Sequence, residues 1–336
     1  MPALAFNTEA EWHSIREAHV GGSEIASLFY TWQLPDGSTA VHHLYEPPPE
    51  NGVLLGCCSP FKTGYRLWTE KSGLVMPDDL DEVERIQAGV HLEPAIAEWA
   101  KQKFEWAKLR KVRRYLTHPA IHGWGSSLDY EVNEPGRPPV ELKNVDGGSF
   151  RRNWTCEGKD IIGLPLNYVL QVQAQIGVAE ADHGWIVACI GGNELRRGRI
   201  ERHDGTQDKI AEAITAFWLG VENDLEPIAY ADYESVAVLH RQGDKGLPAV
   251  AIEDPGFDPL CRRYLRVKRH ADFVEKRLSN LKGQIATKLG DATKAASSGH
   301  KLSWPAITRI AKAIPARWQE ESSYRGALLI SANKED

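Results

Sequence analysis

Apolar positions along the chain fall into three successive patterns. From residue 8 to about 105 they recur at helical spacing, broken by glycine and proline. Residues 8–19 read as a helix entered through Thr8 and Glu11, a capping-box pair that satisfies backbone N–H groups left open at a helix start. "GGSEIASLF" is a glycine turn into a short helix. "SPFKTGYRLWTEKSG" predicts a helix with Ser59 at the cap, Pro60 at the first helical position and Gly73 past the end. A longer helix runs through "VERIQAGVHLEPAIAEWAKQKF". Residues 31–52, rich in turn formers, read as an inserted loop.

The second pattern is strand-like: "KVRRYLTH", "SSLDYEVN" and "PPVELKN" follow one another. A helical run, "NYVLQVQAQIGVA", leads to a hairpin turning at Gly191-Gly192-Asn193, and residues 206–222 close the region as a helix. That order means an α/β fold, a mixed central sheet flanked by helices. The third pattern begins after an irregular linker over 226–259. Near Leu260 a basic helix starts, in which Val267, Ala271, Val274, Leu278, Leu281 and Ile285 alternate four and three apart, as in a coiled-coil seam. "HKLSWPAITRI" and "SSYRGALLI" then suggest a terminal pair of strands. The expected organisation is a core over 1–225, the linker, and an extension over 260–336 made of a helix and a β-hairpin.

Composition adds limits. The 336 residues have the apolar and charged content of a globular domain, which excludes fibrous and disordered classes. No apolar run approaches the roughly 18 residues a membrane span needs, and the N-terminus lacks a basic stretch followed by an apolar one, so a cytoplasmic protein is expected. Cys57, Cys58, Cys156, Cys189 and Cys261 are scattered, which fits a reducing compartment. Cys57 and Cys58 lie near His42 and His43 but lack a C-x₂-C spacing, so zinc is not expected. The net charge of −6 does not advertise a nucleic-acid binder. Local clusters at 108–114, at Arg151 and Arg152, and at 196–199 leave room for a basic groove.

Chemistry concentrates in "PPVELKNVDGGSF". Side chains two apart on a strand share a face, so Glu141 and Lys143 stand side by side with Leu142 on the other face. A hairpin spanning the interval back to Asp129 brings two carboxylates together, and Glu93 on the preceding helix offers a third. Carboxylates beside a lysine suit a hard cation such as Mg²⁺, which lowers the pKa of water for attack on phosphorus. The lysine can orient that water or neutralise charge building on the phosphate. Asp…Glu-x-Lys is the PD-(D/E)xK nuclease signature, here with Leu128 in place of the usual proline.

The residues around this signature resemble the YqaJ-like viral recombinase (lambda exonuclease) family over most of 12–205. "IREAHVGGSEIASL", "SPFKTGYRLWTEKSG", "GVHLEPAIAEWA", "HGWGSSLDYEV", "VELKN" and "YVLQVQAQIGV" are similar to its motifs and stand in its order. The resemblance implies a restriction-endonuclease-like core. It also implies a Mg²⁺-dependent exonuclease (Mn²⁺ able to substitute), with two ions held by Glu93, Asp129, Glu141 and the backbone oxygen of Leu142. Further implications are duplex DNA ends degraded 5′ to 3′, Lys143 at the nucleophilic water and Gln171 orienting it, with Gln173 the lesser choice. Arg16, Ser23 and Ser127 match the residues that bind the 5′-phosphate. The family also implies a toroidal homo-oligomer, a trimer, and a single-strand annealing protein as partner. Departures are Tyr130 after Asp129, the 31–52 segment, and the lack of a proline after Glu-Leu-Lys. A PD-(D/E)xK endonuclease, a RecB-like nuclease or a catalytically idle DNA-binding scaffold are the rival readings. The cysteine pattern gives no expectation of an iron–sulfur cluster.

Overall fold

Thr8 opens the first helix by accepting the Glu11 N–H, as the capping pattern predicts, while the Glu11 carboxylate reaches one residue further back, to the Asn7 N–H. The structure, a computed structural model, describes residues 3–80, 82–106, 108–241 and 252–303. Strand β1 (Ala3–Leu4) and helix α1 (Glu9–Glu17) precede a 3-10 turn (Ile25–Leu28). Strands β2 (Phe29–Gln33), β3 (Thr39–His43) and β4 (Val53–Cys57) follow, then helices α2 (Gly64–Lys71) and α3 (Glu84–Lys103). Next come short strands β5 (Leu109–Lys111), β6 (Tyr115–Thr117), β7 (Gly125–Ser127) and β8 (Tyr130–Val132). They lead to β9 (Pro139–Val145), α4 (Gly147–Asn153), β10 (Thr155–Glu157) and β11 (Asp160–Gly163). Helix α5 (Leu166–Ala179), strands β12 (His183–Ile190) and β13 (Glu194–Glu201), and helices α6 (Asp204–Glu222) and α7 (Tyr233–Leu239) complete a first compact unit, Met1–Leu239. The second unit, His240–Asp336, contains α8 (Phe257–Leu289) and the hairpin β14 (Lys294–Ala296) and β15 (Lys301–Ser303).

Seven strands form the central sheet in the order β10-β11-β13-β12-β9-β8-β5. The β9–β12 and β11–β13 pairs are parallel and the others antiparallel, so the sheet is mixed. Parallel pairing of β9 and β12 requires a crossover, and α5 lies within it. Helix α3 covers one face of β9, where Ile96, Ala97 and Ala100 pack with Val140 and Leu142. Helix α5 lies against the other face, its residues from Leu170 to Ala179 all buried. A helix buried on all sides is apolar all round except where a polar group has a partner. The three glutamines of α5 are therefore informative.

Several sequence expectations shift here. The segment 31–52, expected as a loop, supplies strand β3 and the end of β2, in a three-stranded antiparallel sheet of order β3-β2-β4. Its "LPDGS" is the turn of a hairpin, and Tyr30 and Trp32 are buried on one face. Helix α2 starts later than predicted: Thr63 is its cap, accepting from Arg66 N, and Ser59 instead caps the turn before it through Phe61 N and Lys62 N. "KVRRYLTH" and "SSLDYEVN" each break in two, because β6 pairs with β1 and β7 in a separate small sheet while β5 and β8 join the main one. Residues 301–303 pair with 294–296, and "SSYRGALLI" lies outside the described residues. Residues 228–239 of the segment read as a linker form a 3-10 turn and α7 within the first unit.

Close packing at α5 yields a test. A Cβ on Gly177 would lie 2.4 Å from the Trp124 ring and 2.6 Å from Gln207 Oε1. Gly177→Ala should therefore overpack this contact and destabilise the protein by about 1–3 kcal/mol, despite the better helix propensity of alanine. Urea unfolding at neutral pH measures it; an unchanged midpoint contradicts the packing described.

Candidate active site

Glu141 is placed by its strand. It faces α5 and is only 4% exposed, a carboxylate removed from water. Burying that charge is costly unless every lone pair finds a donor. Gln171 Nε2 donates to Oε1 at 2.7 Å, Gln175 Nε2 to Oε2 at 2.5 Å, and Lys143 Nζ lies 2.6 Å from Oε1. Gln171 and Gln175 are four apart on α5 and so share a face. Gln173 points elsewhere, donating to the Glu201 carbonyl and accepting from Gln207. Gln175 was not anticipated from sequence, although its spacing from Gln171 is the signal that finds it.

Asp129 sits where the chain leaves the small sheet at Ser127 and enters the main sheet at Tyr130. The β8–β9 ladder pairs Tyr130 with Val140 and Glu131 with Pro139 and goes no further. Beyond its end, Asp129 Oδ2 accepts the Leu142 N–H at 2.9 Å, so a side chain continues the ladder. Burial, with the Glu141 charge adding to it, lifts the Asp129 carboxyl well above the usual aspartate range; Lys143 and the Leu142 N–H offset only part. Burial works against the charge on Lys143, but Glu141 and Asp129 outweigh it and hold the ammonium above its ordinary pKa. The Lys143 ammonium also lies 5.3 Å from the centre of the Tyr168 ring.

Glu93 approaches from α3, on the opposite face of β9 from Glu141, and pairs with Lys111. It lies mid-helix, well away from the helix start, so the helix dipole does not account for it. Pro94 behind it leaves the Val90 carbonyl without its helical donor. Glu93, Asp129, Glu141, Leu142 and Lys143 all line one cleft of about 1140 Å³, whose wall also carries Arg85 and Arg152. Among the described residues no three His, Cys, Asp or Glu side chains stand close enough to share one ion. Lys111 and Lys143 occupy two of the three acids. The donor set still fits a hard cation: it is all oxygen, and the Asp129–Glu141 pair has a single lysine between two carboxylates.

Arg16 and Ser127 are joined through a residue the sequence did not single out. Trp12 Nε1 donates to Ser127 Oγ at 2.8 Å, and the Arg16 guanidinium lies 4.6 Å from the Trp12 ring centre. Arg16 also stands 3.8 Å from Glu24, which Lys71 meets at 3.3 Å. Burial would raise the Glu24 carboxyl, but Lys71 and Arg16 outweigh it and keep it ionised. Ser23 is exposed on the adjacent glycine turn. That turn must contain Gly22, since a Cβ there would lie 2.7 Å from Ser126 Oγ and 3.5 Å from Gln175 Cγ. Ser127 thus stands on β7, Ser23 on a turn whose Gly22 approaches α5, and Arg16 is linked to Ser127 through Trp12. The basic run at 108–114 is partly engaged internally: Arg110 and Arg114 meet Glu131, and Lys111 meets Glu93.

Residues 50–182 match the model of the YqaJ-like viral recombinase domain. That likeness covers less than half of the chain. The matched range holds Glu93, Asp129, Glu141, Lys143, Gln171 and Gln175, while Arg16 and Ser23 precede it. No curated protein sequence matches the chain. Among solved structures, it is similar to an alkaline exonuclease from Laribacter hongkongensis at 18% identity and a TM-score of 0.44, over 66% of this chain and 96% of that one. It is also similar to a phage-related exonuclease from Haemophilus somnus at 13% identity and a TM-score of 0.42, over 62% and 96%. No helix among the described residues is long and apolar enough to cross a membrane.

The raised Asp129 pKa has a sign that can be checked. A carboxyl whose folded pKa exceeds its unfolded one stabilises the fold fully below the unfolded pKa and loses that contribution as pH rises through the folded pKa. Asp129→Asn carries no charge at any pH and keeps an acceptor for Leu142. In EDTA it should be more stable than the parent by about 1–2 kcal/mol at pH 8. The difference should shrink as pH falls toward about 4, the ordinary aspartate range. Thermal melts across that range decide it; a variant less stable at pH 8 contradicts the electrostatics.

Proposed function

We propose that this YqaJ-like domain is a Mg²⁺-dependent deoxyribonuclease, Mn²⁺ substituting, that degrades linear duplex DNA 5′ to 3′ and leaves 3′ single strands for recombination. One observation carries the reading: half-buried Asp129 and buried Glu141 share a cleft edge with a charged Lys143, held by strand register and by glutamines from α5. Asp129, Glu141, the Leu142 carbonyl and Glu93 would hold the ions. A bound ion supplies Lewis acidity to the scissile phosphate and lowers the pKa of nearby water. Lys143 neutralises charge growing on the phosphate and, through its contact with Glu141, stays fixed during the reaction. Gln171 and Gln175 keep the Glu141 carboxylate in one orientation, so little reorganisation accompanies charge development. Arg16, Ser23 and Ser127 bind the 5′-phosphate of the DNA end, with Trp12 setting the first and last of these. A toroidal trimer with its basic residues turned inward reconciles DNA binding with a net charge of −6, and a single-strand annealing protein is the partner for the product strand.

Asp129→Ala and Glu141→Ala should each lower cleavage of linear duplex by about a hundredfold or more while DNA-end binding persists, and Lys143→Ala should be nearly as inactive. Mg²⁺ and Mn²⁺ should support turnover and Ca²⁺ should not, because Ca²⁺ takes the same oxygens in looser geometry. Parent-like rates in either carboxylate variant, or turnover in EDTA, remove the metal-site reading.

Polarity is tested separately. A 5′-phosphate carries more charge than an internal phosphodiester, and its charge-assisted contacts are each worth about 1.5–3 kcal/mol, roughly ten- to a hundredfold in rate. Linear duplex with 5′-phosphates should therefore be digested much faster than duplex with 5′-hydroxyls. Arg16→Ala should shrink that difference more than it lowers the rate on 5′-hydroxyl ends. Equal rates, digestion from the 3′ end, or cleavage of closed circles points instead to an endonuclease.

A further inference from the structure

Helix α8 spans 33 residues, about 50 Å, and none of its described side chains is buried. Its apolar residues follow an unbroken heptad. Leu260, Val267, Val274 and Leu281 form one line, and a second runs from Tyr264 to Ile285. The large side chains of both lines are 36–62% exposed. A helix of this length with an open stripe is not stable through propensity alone; it is half of a packing arrangement whose other half is not among the described residues.

Charge selects the missing half. The helix has nine lysines and arginines against three acids. In the heptad frame the positions flanking the seam include Arg263, Lys268, Arg277 and Lys282, with Glu275 the only acid among them. A second copy is a poor partner: parallel pairing sets Arg263 against Lys268 and Arg277 against Lys282 of the other chain, like charges at the positions that govern partner choice. Nucleic acid would answer the charge but leave the apolar lines in water. An acidic amphipathic helix answers both. We infer that α8 is a docking helix for an acidic, heptad-patterned helix of a different protein, recognised by its apolar seam and selected by its negative flanks.

The test uses the full-length protein and two labelled synthetic peptides of α8's length, both with leucine at the seam, one with glutamate and one with lysine at the flanking positions. Fluorescence anisotropy should show the acidic peptide binding at least about tenfold tighter, with affinity falling as salt rises. Reversing three flanking charges together (R263E, R277E and K282E) should invert the preference, a result that loss of folding cannot mimic. Leu278→Asp with Leu281→Asp should abolish binding of both peptides, with circular dichroism reporting whether the helix persists. Equal binding of the two peptides, or none, overturns the inference. So does self-association of the peptide-free protein that the double aspartate variant removes, which assigns the seam to a second copy. Displacement of the acidic peptide by a short DNA duplex assigns the helix to nucleic acid instead.

Discussion

The Glu141 carboxylate ties the first unit together. It lies on an interior strand of the central sheet, is buried, and has both oxygens met by donors from α5 or from its own strand. A buried carboxylate without such partners would neutralise itself or unfold its surroundings. The position of α5 over β9 is therefore fixed electrostatically as well as by the apolar contacts of Val172 and Ile176 with Ile186. Gly22 and Gly177 let the N-terminal turn and Trp124 approach the same helix. The orientation of Glu141 thus follows from one helix and two of its glutamines.

Stability and chemistry pull against each other at this point. Two carboxylates with one lysine beside them form an arrangement that folding alone does not favour: burial first, and then the Glu141 charge, push the Asp129 carboxyl upward. Rule-breaking of this kind in an otherwise consistent structure is what a functional site looks like. The neighbouring acid Glu131 makes the contrast: it is as buried as Glu141 but meets two arginines and does not line the cleft of the acids.

Much of this was legible in the residues. The capping pair at Thr8, the hairpin at Gly191-Gly192-Asn193 and the same-face placement of Glu141 and Lys143 depend on local rules, and the structure agrees with each. The mixed sheet followed from the order of elements. What was not legible depends on contacts distant in sequence. No local signal says that one run of residues, 125–132, serves two sheets, or that "LPDGS" is a hairpin turn and not part of a loop. Trp12 was missed because an indole donor to Ser127 joins residues 115 positions apart. Gln175 was not legible for a different reason: the Gln-Val-Gln motif sets its glutamines two apart, whereas a helix pairs residues four apart.

The Leu142 amide has an unusual acceptor. Amides in the middle of a sheet are normally shielded from deuterium by a neighbouring strand's carbonyl, and their exchange reports how often the sheet opens. This one is shielded by the carboxylate of Asp129, a group whose charge and occupancy can change while the sheet stays intact. Its exchange rate is therefore uncoupled from global opening and follows the state of the carboxylate. A single backbone position thus offers a label-free spectroscopic view of what Asp129 is holding, in solution and without any DNA being cut.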